Sequence, residues 1–301
     1  MRLLSVVGLG LLLLGGAVPE GRAQEAEGAD GRKVLARFGD ARALAVDPRG
    51  RLYVADAARD VVEVLRPNGT RHMVLGGSGT RPGEFDTPSD VDPTNGQVLL
   101  VADTYNGRIQ RFSEEGQYLE SLPIGTGDRG RNDDWTFEEG RARRPIRGDG
   151  RPIAVARDDE GAVYVLDRRR RRVLKWSDLG QSGQIVGGHR GRLQDPVALA
   201  VGEAQRVYVA DRGQGAILVY NTFGTFRRRV PVSSLPSVRA LTVHRGQLWI
   251  VSPGRVRIWE SGEGLVAKRT VNRSAPLVDV APHANSVYLL TETRLFRRPD
   301  W

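Results

Sequence analysis

Arginine, aspartate and histidine carry most of the chemistry this 301-residue chain offers, and cysteine is absent. Arg168, Arg169, Arg170 and Arg171, with Arg172 behind them, place five planar cations in succession. Such side chains offer paired donors to carboxylate, sulfate or phosphate. His189, Arg190 and Arg192 form a second basic group. Between residues 126 and 151 lie Asp128, Asn132, Asp133, Asp134, Glu138 and Glu139, then Arg141, Arg143, Arg144, Arg147 and Arg151, with Trp135 as a stacking surface. A zinc centre needs convergent histidines. The four present, His72, His189, His244 and His283, are scattered. No phosphate loop, nucleophile elbow or Ser/His/Asp spacing stands out. Lack of cysteine excludes disulfides, a thiol nucleophile and thiolate metal sites.

These groups need a scaffold, and the sequence repeats one phrase six times: an apolar strand, a turn, then a strand ending in an aromatic–aliphatic group. The second strands fall at 52–56, 99–103, 163–167, 207–211, 248–252 and 287–291, with last residues 47, 64, 44, 41 and 39 apart. That period predicts propeller blades of roughly 40 to 50 residues with one insertion, 126–151, between the second and third. The first copy divides into strands at 43–47, 51–56, 61–66 and 70–75. Its turns, Asp47-Pro48-Arg49-Gly50 and Pro67-Asn68-Gly69, use proline to fix φ and asparagine or glycine to tolerate positive φ.

The sixth copy supplies three strands, 277–281, 287–291 and 294–298, and lacks a fourth. Lys33-Val34-Leu35-Ala36-Arg37-Phe38-Gly39 has the outer-strand pattern and fills the vacancy, which removes an exposed edge. The expected fold is all-β: a six-bladed β-propeller of four-stranded antiparallel blades over residues 33–301, closed by an N-terminal strand.

Leu75-Gly76-Gly77-Ser78-Gly79-Thr80-Arg81-Pro82-Gly83-Glu84-Phe85-Asp86-Thr87-Pro88 resembles the linker of NHL-repeat proteins. Gly187-Gly188-His189-Arg190-Gly191-Arg192-Leu193-Gln194-Asp195-Pro196 echoes it, and Val101-Ala102-Asp103-Thr104-Tyr105-Asn106-Gly107-Arg108-Ile109 is similar to the repeat's second and third strands. Blades five and six depart from the pattern, with Ser252 and Thr291 in place of the aspartate. Asp56, Asp103, Asp167 and Asp211 recur where a carboxylate accepts N–H groups of the following turn, which is architecture rather than chemistry.

Resemblance to propellers implies that ligands sit on the face gathering the linkers and the second-to-third-strand loops. That face would hold Tyr105, Asn106, Trp135, Arg168 to Arg171, His189, Arg190 and Arg212, a cationic rim in the sector of blades two to four. Against the rim stands neutralisation of the arginines by the insertion's own acids. The formal charge of +9 and pI near 10.4 suit an acidic partner, although 42 of the 45 bases are arginine, a skew that genome composition also produces. Arg227 to Arg229, on an outer strand, read as a solvated edge that discourages strand addition.

Residues 1–23 read as a secretory signal: Arg2, the apolar run 3–16, and Gly21-Arg22-Ala23 for cleavage. Residues 24–32 make a short linker. The run is shorter than a membrane span needs. The mature chain is therefore expected in the periplasm or secreted, monomeric, and without a membrane span.

The function expected from these readings is a non-catalytic binding or scaffold propeller for a protein or an anionic envelope polymer, with no catalytic residue, metal or cofactor assigned. The alternative is a calcium-dependent, lactonase-like hydrolase or lyase. It would need acidic side chains in the central channel, where Asp90, Val197, Arg239 and Asp279 make no coherent oxygen cage. A third reading, an RNA-binding NHL module, is opposed by export.

Overall fold

The computed structural model describes residues 33–93, 96–125, 148–177, 184–186, 193–202, 206–232, 237–260, 263–271, 276–299 and 301. The signal segment 1–23, the linker 24–32, the insertion through residue 147 with Trp135, and His189 and Arg190 lie outside these residues.

Apolar runs of strand length, cut by glycine and proline turns, fold into six four-stranded antiparallel sheets. The first strand, β1 (Val34–Arg37), belongs to the last sheet. Blade one comprises β2 (Ala41–Val46), β3 (Leu52–Asp56), β4 (Val61–Leu65) and β5 (Arg71–Gly76). Blade two has β6 (Pro88–Asp92), β7 (Val98–Asp103), β8 (Arg108–Ser113) and β9 (Tyr118–Pro123), and blade three has β10 (Pro152–Arg157), β11 (Val163–Asp167), β12 (Arg172–Trp176) and β13 (Gln184–Val186). Blade four runs through β14 (Pro196–Gly202), β15 (Arg206–Asp211), β16 (Ala216–Asn221) and β17 (Phe226–Pro231). Blade five follows with β18 (Ala240–His244), β19 (Gln247–Ser252), β20 (Arg255–Glu260) and β21 (Gly264–Thr270). The sixth sheet is ordered β22 (Leu277–His283), β23 (Ser286–Thr291), β24 (Arg294–Pro299), then β1. This is the six-bladed β-propeller that the repeat predicts.

Burial explains why the second strands are continuous apolar runs: β3 and β11 are buried at every position, because neighbouring blades cover both faces. The core is accordingly divided into six apolar clusters, one in each seam between adjacent blades. Outer strands face solvent, and β17 alternates accordingly, with Arg227 and Arg229 exposed and Arg228 stacked over the Trp259 ring at 4.5 Å. In blade one the first strand begins at Ala41, two residues before the predicted start. A bulge between Ala41 and Ala43 carries the pairing past the alternating pattern. The same irregularity opens β6, β10, β14 and β22.

Ring closure joins distant parts of the chain. Val34 pairs with Phe296, Ala36 with Leu295 and Arg37 with Arg294. Beyond the strand, the Phe38 amide donates to the Thr293 carbonyl at 3.0 Å and the Ala41 amide to the Glu292 carbonyl at 2.7 Å. Leu35, Ala36 and Phe38 pack with Leu290, Leu295 and Leu65 in the seam between blades six and one. Gly69, at φ +87°, lies so close to β1 that a Cβ there would sit 2.6 Å from the Leu35 carbonyl oxygen. Only glycine satisfies both the turn and this approach.

Candidate active site

The four repeated aspartates are fully buried and bind backbone on both sides of the second strand. Asp56 accepts from the Gly39 and Asp40 amides at 2.9 Å, from the Ala58 amide at 3.2 Å and from the Arg59 guanidinium. Asp211 accepts from the amides of Gln194, Asp195 and Gln214, and Asp167 from those of Arg151 and Arg170. The donor set therefore includes the linker entering each blade as well as the following turn. Burial would raise the Asp56 carboxyl, but these N–H donors and Arg59 outweigh it and hold it below its usual value. At Asp103 burial wins over Arg108 and the other donors, and its pKa is raised.

Around Asp103 the donors clamp the linker. Fully buried Arg108 gives Nε to Asp103 at 2.7 Å, and its two terminal nitrogens to the carbonyls of Thr80, Arg81 and Glu84. Asn106 is also fully buried, and its amide donates to Asp103 and to the Gly79 carbonyl at 2.8 Å. Asn106 thus works inside the scaffold rather than on the rim. Tyr105 is exposed, with the Arg151 guanidinium over its ring at 4.7 Å.

The arginine sector is gathered on one face, and its cations have nearby acids. Arg168 lies 3.6 Å and Arg212 3.1 Å from Asp195. Arg170 meets Asp149 at 2.6 Å and Asp167 at 3.7 Å, and Arg169 donates to the Asp149 carbonyl at 2.7 Å. Arg171 occupies a turn at φ +52°. Asp149, Asp167 and Asp195 thus pair with arginines of the rim.

A different group of side chains converges on the axis. The first strands β2, β6, β10, β14, β18 and β22 line a central cavity of about 350 Å³. One strand position, set by pairing to the second strand, holds Ala43, Asp90, Ala154, Ala198, Ala240 and Asp279. The alanines pack in the seams between blades, whereas Asp90 and Asp279 line the cavity. Four blades carry alanine there and two carry a carboxylate, on either side of blade one. Asp90 accepts from its neighbour Val91 at 2.9 Å and from the Val155 amide of blade three at 2.8 Å. Asp279 does the same with Val280 at 2.7 Å and the Leu44 amide of blade one at 2.9 Å. Asp92, one pleat further along, takes the Arg157 amide at 2.5 Å. Asp47, Thr242, His244 and His283 complete the polar lining, toward the end formed by the first-to-second-strand turns. The cavity mouth is therefore opposite the arginine sector.

Desolvation sets the acidity of this pair. Burial pushes the Asp279 carboxyl up to about 7, against the two N–H donors that favour its charged form. Asp90 keeps an accessible edge on the channel, yet protein atoms crowd it. Burial raises its pKa well above the usual value, and the Asp279 charge adds to the effect. A carboxyl raised in the folded state binds its proton more tightly there than in the unfolded chain. The contribution of these two carboxyls to stability is then fully present below about pH 4, and that of Asp279 is lost as pH rises through about 7. Every tenfold difference in proton affinity between the two states is worth about 1.4 kcal/mol, so Asp279→Ala is expected to flatten the fall in thermal midpoint between pH 5 and pH 8. An undiminished slope in the variant would count against the buried charge as its source.

Each oxygen of Asp90 and Asp279 already accepts a backbone N–H, which leaves fewer lone pairs for a cation. Among the described residues no three Asp, Glu or His side chains group as a metal site.

No protein-family model matches the chain. Among solved structures it is similar to a gluconolactonase from Xanthomonas campestris, at 17% identity over 89% of this chain and 88% of that one, with a TM-score of 0.64. It is also similar to a virginiamycin B lyase from Staphylococcus aureus, at 10% identity over 88% and 96% of the two chains and a TM-score of 0.61. A streptogramin B lyase gives 10% identity, 86% and 93% coverage and a TM-score of 0.59. At such identities the likeness shows the fold. The expectation of a non-catalytic binding or scaffold propeller is corrected by these neighbours. They are propeller enzymes and bring the lactonase or lyase alternative forward.

Proposed function

We propose that this chain is a ring-opening hydrolase of lactone-like cyclic esters, working in the central channel by carboxylate acid–base chemistry. The observation that carries the reading is that Asp90 and Asp279 line the channel from a strand position where the other four blades hold a seam-packed alanine. Two carboxyls whose surroundings disfavour simultaneous ionisation divide naturally into an acid and a base. Asp279, ionised above about pH 7, takes a proton from water as its oxygen adds to the ester carbonyl. Asp90, protonated, gives its proton to the ring oxygen as the carbon–oxygen bond breaks, leaving a hydroxy acid. The two carboxyls then exchange the extra proton through solvent.

The cavity lining favours a neutral substrate. Leu44, Val91, Leu199 and Leu241 supply apolar wall, and no arginine or lysine is among the lining residues. The carboxylate product would be repelled by ionised Asp279, which favours its release. Likeness to a gluconolactonase makes glucono-δ-lactone the first compound to try. Acid release from it and from an aliphatic γ-lactone, corrected for spontaneous opening, should be accelerated by the protein at pH 7. Because the reading uses no resident metal, EDTA should leave the rate unchanged. Loss of turnover on chelation, restored by calcium, would overturn it.

The linker 75–88 further supports assigning these blades to the NHL-like repeats, and residues 1–23 support export to the periplasm or beyond.

A further inference from the structure

Blade five breaks the repeat in a way that leaves a chemical vacancy. In blades two and three the aspartate ending the second strand pairs across the hairpin with an arginine: Asp103 with Arg108, and Asp167 with Arg172. Their side chains meet at 2.7 and 3.4 Å. The same cross-strand pair in blade five is Ser252 and Arg255, so the arginine is kept and the carboxylate is missing. Both Ser252 Oγ and Arg255 Nε are buried without a hydrogen-bond partner. Blade six also lacks the aspartate, but Thr291 Oγ1 satisfies itself there, donating to the Arg294 carbonyl at 3.1 Å and accepting its amide at 3.0 Å.

Beside Ser252 and Arg255 is a second cavity of about 340 Å³, which Ser237 and Thr270 also line. No Asp or Glu is among its lining residues. The sequences at 233–236 and 272–275, Ser-Ser-Leu-Pro and Asn-Arg-Ser-Ala, contribute no acid either. Arg257, two residues along the same strand face and 6% exposed, has its positive form disfavoured by burial and by the neighbouring Arg255. Buried donors and excess positive charge are costly unless an anion joins them.

We infer that this pocket binds the carboxylate of a small organic acid, held by Arg255 and Ser252 where blades one to four supply their own aspartate. It lies at the second-to-third-strand turn, opposite the channel mouth and outside the arginine sector of blades two to four. The site goes beyond the acid–base reading of the channel and does not depend on it.

The test titrates the purified chain with sodium acetate against sodium chloride at matched ionic strength, reading the thermal midpoint and saturation transfer to the acetate methyl protons. Wild type should show a saturable rise in midpoint with acetate above chloride, and none with acetamide, which has the same shape without the charge. Arg255→Met should weaken the apparent affinity at least ~10-fold. Ser252→Asp, which rebuilds the repeat's own carboxylate, should abolish the acetate response. An equal response in wild type and both variants, or no response of wild type beyond chloride, would overturn the site. Should Ser252→Asp not fold, the Arg255→Met comparison by saturation transfer decides alone.

Discussion

Asp279→Ala and Asp90→Ala should each lower kcat/KM for lactone opening by about 100-fold or more, the range that loss of a positioned general acid or base produces. Alanine is the informative substitution because Ala43, Ala154, Ala198 and Ala240 occupy the matching positions of four other blades. The fold therefore already accommodates alanine at this strand position. Losing Asp279 also removes a buried carboxyl whose ionisation disfavours folding above about pH 7. The variant should then be inactive and, at pH 8, no less stable than wild type, a combination that general unfolding does not produce. In wild type the rising limb of the pH–rate profile should have its midpoint near pH 7 and vanish with Asp279. Variants retaining more than a tenth of wild-type kcat/KM would show that the pair is not the acid–base machinery.

Deletion of residues 33–38 should be the most damaging change to stability. It strips β1 from β24, exposes the edge of the sixth sheet, and removes Leu35, Ala36 and Phe38 from the seam with blade one. At about 25 cal/mol per Å² of apolar surface, burying such side chains is worth several kcal/mol. For a domain of this size that corresponds to a fall in midpoint of roughly 10 °C or more. An unprotected edge also invites association between chains, so light scattering should rise at temperatures where wild type stays clear. Calorimetry showing an unchanged midpoint would mean that the sixth sheet is complete without β1.

The architecture is legible in the sequence because it depends on repetition. The turn chemistry of Pro67-Asn68-Gly69, the recurrent second strands and the missing fourth strand after residue 298 each point to the closed ring found here. Strand limits shift by a residue or two where bulges displace the pairing, as at Ala41. The channel site is harder to read for the same reason that the fold is easy. Asp90 and Asp279 stand out as channel positions, but measured against a calcium cage they make no pattern. Aligning 88–92 with 41–45, 152–156 and 196–200 shows aspartate at two alanine positions, Asp90 and Asp92, and 277–281 adds Asp279. The arginine run is conspicuous through its composition. Neutralisation by the insertion's own acids, which the sequence sets against it, is met in part by Asp149, whereas Asp195, which precedes blade four, is a partner the sequence does not indicate. Ser252 is visible as a departure from the repeat, but that its hydroxyl and Arg255 are buried together without partners needs coordinates.

Val34 leaves the ribosome long before Phe296, against which it settles. For most of biosynthesis the closing segment has nothing to zip onto, and the sixth wall of the channel does not exist. Asp279 comes from that late-made wall. A nascent chain can thus assemble its early blades one by one but cannot bring the two carboxyls together, so turnover should begin only once the last blade has emerged.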